Sequence, residues 1–153
     1  MSRTGTRLGV VVALAAGLAP LWSAPAEKVE TLRGKVVPLA DLVAKGGTKL
    51  DADAAPFWLA LVTAEGKVYP LVKDAGSRLF FKDRALLNRP MRLSGRLLPG
   101  STLLRVGSVN SVHKGELYEV YYWCDICAIK RFEKQDCDCC GALMELRETK
   151  VKE

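Results

Sequence analysis

All five cysteines of the chain fall within one short stretch, Trp123-Cys-Asp-Ile-Cys-Ala-Ile-Lys-Arg-Phe-Glu-Lys-Gln-Asp-Cys-Asp-Cys-Cys-Gly141. Read as C-x-x-C, nine residues, C-x-x-C-G, it pairs Cys124 and Cys127 with Cys137 and Cys140. In a C-x-x-C the backbone curls into a knuckle that turns both sulfurs toward one point. Two knuckles supply four thiolates, the soft tetrahedral set that Zn²⁺ takes at about 2.3 Å. Gly141 follows the second pair, where the chain needs a residue free to adopt positive φ. Cys139 is then the sulfur left over.

Four chemistries compete for these sulfurs. A closed set of four thiolates around zinc leaves no position for water or substrate, so it would staple a segment and not catalyse. About thirty residues bury too little apolar surface to fold unaided, so such a staple is needed. Tyr121, Tyr122, Trp123, Phe132 and Leu143 are the residues available to sheathe it. Disulfides are the second reading, favoured by an exported location but disfavoured by the vicinal pair Cys139-Cys140 and by the two C-x-x-C pairs, which are unusual for structural bridges. The third is thiol redox chemistry, since Trp123-Cys-x-x-Cys127 echoes a thioredoxin-type motif. Too little chain follows Cys127 to build that architecture. The fourth is another soft cation such as Cu(I), which suits the same ligands.

The N-terminus bears on the compartment. Arg3 and Arg7 precede an apolar run from Leu8 to Leu21, and Ala24-Pro-Ala26 fits a small-x-small cleavage pattern. These are the marks of a secretory leader over residues 1–26. The run is shorter than the roughly 20 residues that span a bilayer, and no later stretch is apolar enough to do so. The expectation is export to the periplasm, cell envelope or exterior, with no transmembrane segment in the mature chain.

Beyond the leader the pattern is mainly β. Residues 31–37 read as a strand with Gly34 at a bulge, and 39–45 as a short helix closed by Gly46-Gly47. Residues 57–63 and 67–72 form a hairpin about Glu65-Gly66. Residues 78–81 are apolar but of undecided type, and 83–87 suit a helical turn. In 90–98, Met91, Leu93, Gly95 and Leu97 alternate with Arg92, Ser94 and Arg96, a half-buried strand with an arginine-bearing outer face. Residues 102–112 and 117–123 are strands joined at Lys114-Gly115, and 142–147 is a last strand before a frayed tail at 149–153.

Five short strands between Thr31 and Val112, with glycines at the bends, predict a small, partly closed five-stranded barrel. The strand order, the G-x-V pattern and Arg89-Pro-Met-Arg-Leu-Ser-Gly-Arg-Leu-Leu98 resemble OB-fold domains, and an SH3-like barrel fits nearly as well. With Tyr121-Tyr-Trp-Cys-Asp-Ile-Cys and Cys-Cys-Gly141 included, the chain resembles exported bacterial proteins in which a leader precedes an OB-like barrel and a C-terminal four-cysteine ribbon. That resemblance implies zinc binding and no particular reaction. The expected organisation is a leader at 1–26, an OB-like barrel at 29–115, a zinc-ribbon-like hairpin at 116–148 and a tail at 149–153.

Catalytic signatures are missing. His113 is the single histidine, with no nucleophile motif to serve. No phosphate-binding glycine motif is present, and Asp51-Ala-Asp53 lacks the rest of a calcium loop. The formal charge is +6. Lys82, Arg84, Arg89, Arg92 and Arg96 lie close in sequence, and a solvated surface explains them better than a polyanion site. The sequence therefore predicts a non-enzymatic binding or interaction module with one structural zinc ion on Cys124, Cys127, Cys137 and Cys140. Its partner is a protein or a small anionic ligand met by Arg92, Arg96 and Tyr69. A cell-envelope thiol-redox or metal-handling protein is the alternative. Nucleic-acid binding, common for a barrel joined to a ribbon, is disfavoured by the leader.

Overall fold

A computed structural model describes residues 28–152 of the chain. The leader expected at residues 1–26 lies outside the described residues. Eight strands form one antiparallel sheet: β1 (Val29–Pro38), β2 (Leu59–Thr63), β3 (Val68–Pro70), β4 (Pro90–Leu97), β5 (Leu104–His113), β6 (Glu116–Cys124), β7 (Ile129–Arg131) and β8 (Glu145–Lys150). Two short helices, α1 (Leu39–Lys45) and α2 (Arg78–Lys82), interrupt them. Neither is long and apolar enough to cross a membrane.

The spatial order is β3-β2-β1-β4-β5-β6, and β6 carries both β7 and β8. Tyr118 pairs with Ser111 of β5 and Lys150 of β8, while Tyr122 pairs with Arg131 of β7 and Leu146 of β8. Thus β5 and β7 take successive parts of one edge of β6, and β8 takes the other. Each alternating strand turns its apolar set inward. In β4, Met91, Leu93 and Gly95 are buried, while Arg92, Ser94 and Arg96 face outward. Val36, Leu61, Leu79, Phe80, Leu86, Leu104, Val120 and Tyr122 join them in one core.

The expected barrel is not closed. Beyond β3, a single parallel bridge joins Leu71 to Leu104, where the Val72 N–H reaches the Leu104 carbonyl at 3.0 Å. Two features hold the sheet open. Pro70 ends β3 after three residues, and a proline offers no N–H to extend a ladder. The other end of β5 pairs with β6, so the sheet grows sideways.

Other expectations shift in detail. The bulge lies between Ser94 and Gly95 against β5, and not at Gly34, which keeps regular register on both sides. Gly34 is needed for close approach instead, because a Cβ there would stand 2.2 Å from the Val62 carbonyl oxygen. The hairpin strand begins at Leu59, since Ala55–Phe57 is a 3₁₀ turn. The undecided segment is α2. The last strand starts three residues later than expected, and the tail is not frayed there. Thr149 and Lys150 pair with Glu119 and Tyr118, and the Val151 N–H reaches Leu117 at 2.8 Å.

Candidate metal centre

β6 ends on Cys124, and the chain turns at once through Cys127 into β7. Ala128, the residue after the first C-x-x-C, has φ 53°; Gly141, after the second, has φ 72°. The two knuckles therefore make the same left-handed exit. The second is closed by the Gly141 N–H on the Cys137 carbonyl and the Cys137 N–H on the Ala142 carbonyl, both 2.8 Å. Ala128 went unflagged in the sequence because alanine rarely adopts this conformation. Its equivalence to Gly141 was the available signal.

The sulfurs of Cys124, Cys127, Cys137 and Cys140 all lie within 4.8 Å of one another, with Cys124 and Cys140 3.6 Å apart. A tetrahedron with about 2.3 Å metal–sulfur bonds has edges of roughly 3.8 Å, so this spacing suits one cation at the centre. Cys124 and Cys137 are buried, Cys127 is half-buried and Cys140 is exposed. Cys139 is exposed and is not one of the four. Four cysteines thus stand where a metal ion such as zinc could be held.

Electrostatics within the cluster favour a cation. Backbone N–H groups of Cys140 and then Cys139 point at the Cys137 sulfur and lower its thiol to about 7. The Cys127 thiol is pushed upward by its sulfur neighbours, first Cys139 and then Cys140. Cys124 receives the Cys127 N–H, but burial and the sulfurs of Cys137 and Cys140 leave it raised. One thiolate is welcome and the next is opposed by its neighbours. A divalent ion removes that opposition.

Ion pairs tie the knuckles to their surroundings. Asp125 accepts from the Trp123 indole at 3.1 Å and from Arg147 of β8 at 2.5 Å. Arg131 of β7 holds Asp138 at 3.0 Å. Glu133 meets Arg78 and Lys82 at 3.3 Å, and Tyr122 donates to Asp83 at 2.8 Å. Of the expected sheath, Tyr122 is buried in the main core, whereas Phe132 and Leu143 are exposed. Met144 is buried in the same core as Cys124 and Cys137.

The proposed ligand residues do not converge. Arg92 and Arg96 lie on the outer face of β4, with Arg92 bonded to Asn110 at 3.0 Å. Tyr69 pairs with Leu61 and packs on the core, facing the other way. The basic run is dispersed too: Lys82 meets Glu133 and Arg89 meets Glu148. His113 also contacts Glu148 and takes no part in the sulfur cluster. Glu148 gathers Arg89, His113 and Ser111, a network invisible in sequence because its members come from three separate segments. No protein-family model, curated protein or solved structure matches this chain.

Proposed function

We propose that this chain is an exported, non-enzymatic binding module whose C-terminal segment is held by one structural zinc ion on Cys124, Cys127, Cys137 and Cys140. The observation that carries this reading is the convergence of the four sulfurs within 4.8 Å. Four protein thiolates complete a tetrahedron and leave no open position for water or substrate. Zinc would supply cohesion here; the protein supplies two matched knuckles, N–H groups that favour thiolate at Cys137, and a core that Cys124 and Cys137 share with Met144 and Tyr122.

The finer fold reading belongs to the same proposal. β1 lies between β2 and β4, α2 separates β3 from β4, and a parallel bridge joins the residue after β3 to the start of β5. That is the strand order of an OB-like barrel left ajar, with a zinc-ribbon-like unit of β6, β7 and β8 on its open side. Ile126 and Leu143, one beside each knuckle, are 74% and 83% exposed. Apolar side chains displayed beside a stapled turn suit contact with a protein partner. The leader read in residues 1–26 supports export.

Native mass spectrometry and metal analysis of the purified chain test the proposal. One zinc per chain, released by a strong chelator with loss of folded signal from the C-terminal segment, is the expected result. Two fewer protons per cysteine pair and no metal would replace zinc by disulfides. The neighbouring sulfur of Cys139 favours a thiol-redox role as the second reading, and reversible thiol oxidation of the metal-free chain is its signature.

A further inference from the structure

A groove of about 430 Å³ lies between α1 and the sheet formed by β1 and β2. Val37 and Val62 on adjacent strands, Leu42 of α1 and Val112 of β5 give it half-buried apolar walls. Every charged residue lining it is a cation: Arg33, Lys35 and Lys45. All three are exposed, and none makes an ion pair with a described carboxylate. Glu65 lies outside the lining.

Apolar walls and unpaired cations ask for different things from one ligand. A polyanion would satisfy the cations and leave the valines and Leu42 in contact with water. A neutral hydrocarbon would cover the walls and leave the cations unanswered. A single-tailed anion does both, and the volume falls in the ordinary range of small-molecule sites, roughly 300–1,000 Å³. The groove has walls on two sides, from α1 and from the strands, so it suits one free tail better than a bilayer surface.

We propose that this groove binds a free medium-chain fatty-acid carboxylate. The tail lies against Val37, Leu42, Val62 and Val112, and the head is met by Arg33, Lys35 and Lys45. The site is separate from the four cysteines, so the proposal stands or falls independently of zinc.

The test is calorimetric titration of the full chain with decanoate, decanol, butyrate and decyltrimethylammonium, with amide chemical shifts recorded alongside. Decanoate is expected to bind one per chain and to shift residues of α1, β1 and β2, while the other three probes bind at least about tenfold more weakly. The double variant Lys35→Gln/Lys45→Gln is expected to lose about tenfold in decanoate affinity, about 1.4 kcal/mol. Its unchanged melting temperature would confirm that it folds. Equal binding of decanol or decyltrimethylammonium, shifts confined to other elements, or an unaltered affinity in the folded double variant would overturn the proposal. So would binding only to phosphatidylglycerol vesicles with none to decanoate.

Discussion

Tyr122→Phe isolates the bond that locks the cysteine-bearing segment onto the rest of the sheet. The Tyr122 ring is 1% exposed, and its hydroxyl donates to Asp83 at 2.8 Å. Asp83 receives two other partners: the Ala85 N–H at 3.0 Å and the Lys134 ammonium at 3.7 Å. The substitution deletes one oxygen and keeps the ring packing, so its cost is the bond to a nearly buried carboxylate. Hydrogen bonds to charged groups contribute about 1.5–3 kcal/mol. Lys134 is more than half exposed and can swing inward to recover part of this. A loss of about 2 kcal/mol is expected, which at a urea slope of about 2 kcal/mol/M lowers the unfolding midpoint by about 1 M.

The same bond has a pH signature. Burial pushes the Asp83 carboxyl upward, but the Tyr122 hydroxyl, the Ala85 N–H and Lys134 together outweigh it and hold it below its ordinary value. A depressed carboxyl contributes stability that is fully present above its unfolded value of about 4 and is lost as pH falls through its folded value. Without Tyr122 the depression shrinks. The gap between parent and variant in urea unfolding, followed by tryptophan fluorescence, should therefore be widest near pH 7 and narrow on acidification. A loss below about 0.5 kcal/mol, or a gap equally wide at acid pH, would refute the reasoning. The double-mutant cycle with Asp83→Ala checks the assignment, because Tyr122→Phe should cost little once the acceptor is gone.

Three other outcomes follow from particular positions. Cys140→Ser should abolish binding of one metal ion per chain, whereas Cys139→Ser should keep it; the reverse pattern in metal analysis would reassign the fourth ligand. Gly34→Ala puts a Cβ 2.2 Å from the Val62 carbonyl oxygen and forces β1 away from β2, so thermal unfolding should reveal a loss of about 2 kcal/mol or more. Lys114→Asn should stabilise the β5–β6 hairpin by about 0.5 kcal/mol in chemical denaturation, because Lys114 and Gly115 both have positive φ and Asn-Gly is the favoured pair for such a turn.

What the sequence revealed was whatever depends on local period and spacing. The alternation of Met91, Leu93 and Gly95 against Arg92, Ser94 and Arg96 fixes both the existence and the facing of β4. The C-x-x-C spacing fixes which sulfurs a knuckle can aim together, and the cluster contains those four. What depended on distant pairing was harder to see. Tyr69 could be placed only once Leu61 was known to lie opposite it. β7 is three residues long with no alternation to announce it, and it exists because β6 offers an unpaired edge beyond Glu119. The basic residues were legible individually, but Glu133 and Glu148, which neutralise Lys82 and Arg89, lie far along the chain.

The strand that carries Cys124 has two masters, and this decides what losing the metal should do. The first half of β6, Glu116 to Glu119, is paired to β5 and turned back by the tight Lys114-Gly115 hairpin. Its second half, Tyr122 to Cys124, pairs with β8 and with β7, a three-residue strand flanked by the two knuckles, of which Ile129 packs on the core. Yet Tyr122, Cys124, Cys137 and Met144 sit in the same core as Leu79, Phe80 and Leu86. Opening the knuckles therefore loosens a wall of that core without breaking the β4–β5 ladder behind it. After chelation, amide exchange should quicken first in β7 and in residues 122–124, next in β8, and least in β1, β4 and residues 116–119. Uniform acceleration throughout the chain would mean that the cation supports the whole sheet, and no acceleration would mean that the four sulfurs are held together by packing alone.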